Sequence, residues 1–151
     1  MSDYSKTFTL KDQAASMALG AKIGAVLCAG DIVLLRGGLG AGKTTLARGL
    51  ITALCGMQDV PSPTYTLVQT YTAPDFDIWH FDLYRLERES DVWELGIEEA
   101  FENGVCLIEW PERIEDLLSG GELCIEIEIT GTGRTAIITG NHSWEARLDE
   151  F

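Results

Sequence analysis

The sequence predicts a single α/β domain, a mixed sheet with helices on both faces. Three observations carry that expectation. Two short apolar runs, DIVLLR at 31–36 and VCLIE at 105–109, have the character of strands covered on both sides. Segments of helical periodicity adjoin them, and later stretches alternate apolar with polar residues as hairpins do. With 151 residues the chain can bury one real core, and it leaves no room for a separate substrate module.

Taken in order, Thr9 followed three residues later by Asp12 forms a capping-box pattern. It opens a helix through Ala14, Met17, Ala18, Ile23, Val26 and Leu27 that stops at Gly30. The strand 31–36 comes next, then a run of glycines, then a helical pattern over 43–55 that ends at Gly56. Residues 64–71 (TYTLVQTY) and 78–85 (IWHFDLYR) are rich in β-branched and aromatic residues. They flank the turn Ala73-Pro74-Asp75 and predict an antiparallel hairpin. Helical turns between 90 and 102 end at Asn103-Gly104, and the strand 105–109 closes in an acid, Glu109. Leu123, Ile125, Ile127 and Ile129 then alternate with Cys124, Glu126, Glu128 and Thr130. A Gly131-Thr132-Gly133 turn leads into 134–139, giving a second hairpin with one wet face.

Charge and composition exclude several classes of function. Eleven basic against 24 acidic residues leave a net charge of −13, which opposes direct capture of tRNA or DNA, since such binding rests on phosphate neutralisation by Lys and Arg. No stretch approaches the roughly 20 apolar residues that span a bilayer, and the start MSDYSKTFTL lacks a basic region followed by an apolar one, so a cytoplasmic location is expected. Cys28, Cys55, Cys106 and Cys124 form no CxxC pair and are expected to be reduced, small apolar residues.

The chemistry concentrates at Gly37-Gly38-Leu39-Gly40-Ala41-Gly42-Lys43-Thr44, which matches G-x-x-x-x-G-K-[ST] at every fixed position, after a predicted strand and before a predicted helix. Glycines let consecutive backbone N–H groups turn around a phosphate, and the helix N-terminus adds partial positive charge. Lys43 is then expected to reach the β and γ oxygens and Thr44 to place its hydroxyl on Mg²⁺. The fold expectation sharpens accordingly to a P-loop NTPase-like sheet. No [NT]KxD guanine signature is present, so ATP is the expected nucleotide. Glu109, ending an apolar strand, is placed to hold Mg²⁺ directly or through water. Asp82 shares a strand face with Ile78, His80 and Tyr84. It is suited to orient water or a metal's ligands, and equally to pair with Arg85 or face solvent. His80 reads as a packed or solvent-facing histidine, and His142 belongs to the polar tail. Ser62-Pro63-Thr64-Tyr65-Thr66 is a Pro-stiffened, hydroxyl-rich segment, either a loop near a γ-phosphate or an ordinary turn. Trp110, directly after Glu109, reads as core packing or as a surface for a nucleotide or partner.

The set GGLGAGKTT, SPTYTLV, HFDLYRL, ELGIEEAF and IEWPER, in this order over about residues 6–140, closely resembles the bacterial TsaE (YjeE) family. The resemblance implies a small P-loop ATPase of tRNA N6-threonylcarbamoyladenosine modification. Such a protein is accessory: it binds the TsaD–TsaB transferase pair, supports its turnover through ATP and Mg²⁺, and meets tRNA only through that complex. Carried over by position, the resemblance makes Gly38, Leu39, Gly40, Ala41, Gly42, Lys43, Thr44 and Thr45 the nucleotide cradle, and Thr44 and Glu109 the Mg²⁺ ligands. Ser62, Pro63 and Thr64 become a switch-like loop, Asp82 a catalytic or metal-associated acid beside Lys43 and Glu109, and Trp110 a functional residue. Asp12 borders the nucleotide. Gly38 departs from relatives that often carry Asp there; the loop works through its backbone, so little loss is expected. Residues 142–151 match nothing and are set apart as a variable tail of the single domain 1–151.

No arginine cluster is evident among Arg36, Arg48, Arg85, Arg88, Arg113, Arg134 and Arg147, so intrinsic hydrolysis is expected to be slow and partner-stimulated. Two rivals remain at this level: a P-loop small-molecule kinase, and an ATP-gated docking module in which hydrolysis is incidental.

Overall fold

A computed structural model describes residues 4–38, 40–56 and 67–148. The strands are β1 (Tyr4–Leu10), β2 (Ile32–Arg36), β3 (Val68–Thr72), β4 (Asp77–Asp82), β5 (Val105–Glu109), β6 (Leu123–Thr130) and β7 (Gly133–Gly140). The α-helices are α1 (Gln13–Gly24), α2 (Lys43–Cys55), α3 (Ile97–Asn103) and α4 (His142–Leu148). The strands form one sheet in the order β1-β7-β6-β2-β5-β4-β3. β2 runs parallel to both β5 and β6, and β4 runs parallel to β5, while β1–β7, β6–β7 and β3–β4 are antiparallel. This is the mixed α/β sheet that the two apolar runs and the two hairpins predict.

The continuous apolar character of the central strands follows from burial on both faces. Val33, Leu35 and Leu107 point into a core shared with Leu19 and Ile23 of α1 and Leu46 and Leu50 of α2. Leu34, Cys106 and Ile108 point the other way, into a second core with Ile97 and Ala100 of α3 and with Val92 and Ile114 of two 3-10 segments. β6 is covered on one face only: Leu123, Ile125 and Ile127 are buried while Glu126 and Glu128 are exposed.

Several boundaries differ from the sequence expectation for identifiable reasons. Thr9 lies in β1, and Asp12 alone caps α1, its carboxylate accepting from the Ala15 N–H at 2.9 Å. α1 stops at Gly24 instead of Gly30, because Val26 and Leu27 tighten to three-residue hydrogen bonds with Ile23 and Gly24. β4 ends at Asp82, short of Arg85, where Arg113 Nη2 and Nη1 donate to the Tyr84 and Leu86 carbonyls at 3.1 and 3.4 Å and draw the chain away. The helical stretch 90–102 divides into a 3-10 segment, Glu89–Leu95, and α3, because Gly96 adopts φ +83° between them. A further 3-10 segment, Pro111–Leu117, follows β5.

Besides that segment, two elements were not anticipated. β1 alternates its exposed Ser5, Thr7 and Thr9 with Tyr4, Lys6, Phe8 and Leu10, a period-two pattern that the capping-box reading of Thr9 obscured. The segment from His142 folds as α4: Asn141 Oδ1 accepts from the Ser143 N–H at 3.0 Å, and Trp144 and Leu148, one turn apart, are buried. No helix among the described residues is long and apolar enough to cross a membrane.

Candidate functional site

The C-terminal ends of β2, β4 and β5 lie side by side, with Leu35 opposite Glu109 and Glu109 opposite Asp82. In an open parallel sheet this end is where loops leave room for a ligand. After β2 the chain turns through Gly37, Gly38 and Gly40 and enters α2 at Gly42, whose φ of +106° only glycine adopts without strain. That turn sets the first residues of α2, Lys43 and Thr44, over the strand ends.

A cavity of about 310 Å³ opens there, lined by Gly38, Gly40, Ala41, Gly42, Lys43, Thr44, Thr45, Asp82, Glu109 and Trp110. The structure therefore brings most of the residues expected at the site into one place. Lys43 is 5% exposed, its Nζ donating to the Gly37 carbonyl and, at 3.2 Å, to the Gly38 carbonyl. The same ammonium lies 3.8 Å from the centroid of the Trp110 ring. Burial pushes the Lys43 pKa below its ordinary value, against the opposing pull of Glu109, Asp82 and Glu112.

Thr44 Oγ1 is 3.0 Å from each carboxylate oxygen of Glu109 and donates between them. Glu109 itself is 2% exposed. A hydroxyl and a carboxylate are hard oxygen donors, suited to a Mg²⁺ ion that shares its remaining ligands with water and phosphate. Among the described residues no group of three or more His, Cys, Asp or Glu side chains forms a metal cage, so such an ion needs oxygen atoms from outside that set.

Asp82 does not face solvent: it is 5% exposed, lines the cavity and accepts from the Tyr84 N–H at 3.1 Å. The strand face it shares with Ile78 and His80 is interior throughout. Trp110 sits in the left-handed region, φ +61° and ψ +51°, where a bulky residue is strained. Its ring stacks on Tyr84 with centroids 4.8 Å apart. Asp12 lies outside this cavity. It lines an adjoining one of about 360 Å³ that reaches Gly40, Gly42, Thr45 and Arg134. Leu39, Ser62, Pro63 and Thr64 lie outside the described residues.

Two residues at the site were not anticipated there. His80 is fully buried and its Nε2 is 2.7 Å from Glu109 Oε2; its spacing of two from Asp82 on a strand is the signal that points to a shared face. Arg134 of β7 donates through Nε to the Ala41 carbonyl at 2.9 Å and through Nη2 to the Gly40 carbonyl at 3.2 Å, bracing the phosphate loop from behind. No local pattern identifies it, because the loop and β7 are 93 positions apart in the chain at that bond.

Comparison with known proteins places the chain among relatives of one family and one fold. A family described as threonylcarbamoyl adenosine biosynthesis protein TsaE matches residues 10–137. The tRNA threonylcarbamoyladenosine biosynthesis protein TsaE of Rickettsia conorii is 44% identical over 126 residues, 80% of this chain and 72% of the relative. Its namesake from Bacillus subtilis is 42% identical over 103 residues, 68% of this chain and 64% of the relative. The crystal structure of Bacillus subtilis YdiB superposes with a TM-score of 0.82 at 28% identity, over 97% of this chain and 93% of that one.

Proposed function

The chain belongs to the TsaE family of threonylcarbamoyl adenosine biosynthesis proteins, and from that premise we propose that it is the Mg²⁺-dependent, ATP-hydrolysing accessory protein of tRNA N6-threonylcarbamoyladenosine formation. In this reading it acts on the TsaD–TsaB transferase pair, which holds the tRNA. The observation that carries the nucleotide part is the Thr44 hydroxyl set between both oxygens of Glu109, one residue from the buried Lys43 ammonium.

Each residue then has a definite task. Backbone N–H groups of Gly38, Gly40, Ala41 and Gly42, with the start of the 13-residue α2, attract phosphate oxygens. Lys43 exchanges the Gly37 and Gly38 carbonyls, its partners here, for phosphate oxygens of greater charge. Thr44 and Glu109 hold Mg²⁺, which when bound offsets the charge that develops on the transferring phosphoryl group. Asp82, which lines the same cavity, would accept a hydrogen bond from the attacking water and so orient it. Asp12, beside Thr45 and Arg134, borders the remainder of the nucleotide. Trp110 shields the ammonium from solvent.

Among the described residues no arginine lines the cavity that holds Lys43 and Glu109. The described cavity thus offers Lys43, backbone N–H groups and the start of α2 but no guanidinium to developing phosphoryl charge until a partner docks, and hydrolysis by the isolated protein is slow. The net charge of −13 supports action on a protein that holds tRNA in preference to action on free tRNA.

The test is reconstituted tRNA modification followed over several turnovers, with ATP hydrolysis and Mg²⁺-dependent nucleotide binding measured in parallel. Wild type should bind adenine nucleotide with Mg²⁺, hydrolyse it faster with the transferase pair than alone, and sustain turnover. Lys43→Ala should lose triphosphate binding and fail after the first cycle. Equal hydrolysis with and without the pair would refute stimulation, and a phosphorylated metabolite in place of free phosphate would favour the kinase. Modification that continues after Glu109→Gln or Asp82→Asn abolishes hydrolysis would favour the docking module.

A further inference from the structure

We propose that His80 is a positioning residue for Glu109, fixing the carboxylate in the orientation in which it and Thr44 take a divalent cation. The inference rests on the metal-binding reading just given and assigns to the same site a residue outside the cavity lining.

His80 is 0% exposed in β4, a strand whose neighbours Ile78 and Phe81 are equally buried. An apolar side chain would satisfy such a position without desolvating two ring nitrogens. Nε2 lies 2.7 Å from Glu109 Oε2, and Nδ1 has no hydrogen-bond partner among the described residues. A carboxylate only accepts, so Nε2 carries the proton and donates it. Nδ1 is left as a buried polar atom with no partner among the described residues. A position that accepts this cost for a single hydrogen bond is shaped by what the bond does to its partner.

The partner needs it. Glu109 receives two described side-chain donors, the Thr44 hydroxyl from α2 and His80 Nε2–H from β4. A cation held by Thr44 and Glu109 would replace the hydrogen bond between them. His80 then remains as the donor that stops the carboxylate from rotating about its last bond, leaving one oxygen committed and the other presented to the ion. Groups that orient a metal-binding side chain in this way typically change metal affinity by about 10–100-fold when removed. The parallel pairing of β4 with β5 sets both parts at once, with His80 opposite Leu107 and Asp82 opposite Glu109. Residues two apart on one strand face thus deliver an acid to the cavity and a donor beneath its neighbour.

The experiment measures Mn²⁺ binding to the ADP-saturated full chain by electron paramagnetic resonance, and ADP binding in EDTA by calorimetry. His80→Leu should weaken Mn²⁺ binding about 10–100-fold while metal-free ADP affinity stays within about twofold. His80→Gln, whose amide nitrogen reaches close to the Nε2 position, should recover most of the affinity; His80→Asn, whose amide falls short, should not. In a Glu109→Gln background His80→Leu should cause no further loss. Should His80→Leu fail to fold, the Gln and Asn variants decide the matter between them. Unchanged Mn²⁺ affinity in His80→Leu, equal loss in the Gln and Asn variants, or a parallel fall in metal-free ADP binding would overturn the proposal. A wild-type chain that binds ADP but no Mn²⁺ would instead defeat the metal reading itself, and this inference with it.

Discussion

Trp110 shows how a single residue can hold a costly conformation because of what its side chain touches. A non-glycine residue in the left-handed region costs about 1–2 kcal/mol, and stacking on Tyr84 and contact with Lys43 offset it. Both Trp110→Ala and Trp110→Gly lose those contacts, but only glycine relieves the backbone. Trp110→Gly should therefore be more stable than Trp110→Ala by about 1 kcal/mol in urea titrations, the reverse of the usual order. Cys106 makes a second residue-scale test. It is fully buried in the α3-side core, which pushes its thiol pKa from 9.0 to about 12. The raised folded value means that the unfolded chain releases this proton first. The contribution is complete below about pH 9 and is lost as pH rises toward about 12, at about 1.4 kcal/mol per pH unit. Cys106→Ala should show a shallower alkaline loss of stability than wild type, measured as denaturation free energy against pH.

At the scale of elements, the contact between α1 and α2 depends on two glycines that are not turn residues. A Cβ at Gly20 would lie 2.2 Å from the Leu46 carbonyl oxygen, and one at Gly49 would lie 2.3 Å from that of Met17. The helices meet backbone to backbone. Replacing a mid-helix glycine by alanine ordinarily stabilises by about 1 kcal/mol. Here Gly49→Ala should destabilise by about 1–3 kcal/mol, seen as a lower urea midpoint with unchanged slope. Because α2 carries Lys43 and Thr44 in its first turn, nucleotide affinity should fall with it. The sequence reads α2 well, from Lys43 to the Gly56 cap, because periodicity and punctuation are local signals. It does not show that Gly20 and Gly49 serve a crossing, since that meaning exists only once the other helix is present.

Across the whole molecule, the two ends of the chain complete the sheet and close one face. β1 pairs along its full length with β7, and α4 returns to the start of β2, where Arg147 Nη1 and Nη2 grip the Asp31 carboxylate and the guanidinium covers the Trp144 ring. The bond to Asp31 raises the Arg147 pKa above its ordinary value. Arg147→Ala leaves a largely buried carboxylate without its cation, and should lower stability by about 1–3 kcal/mol in thermal or urea melts while metal-free nucleotide affinity stays near wild type. By itself the sequence determined the glycine-rich loop, the strand before it, the helix after it and the acid that ends the strand at 105–109. Each of these is written in a few adjacent residues, through backbone freedom, periodicity and charge. Tertiary structure alone decided that Asp82 is enclosed, that His80 reaches Glu109 and that Arg134 braces the loop. Those facts depend on which strands are neighbours and in what register, and hydrogen bonds between residues 29 and 93 positions apart leave no trace in any local pattern.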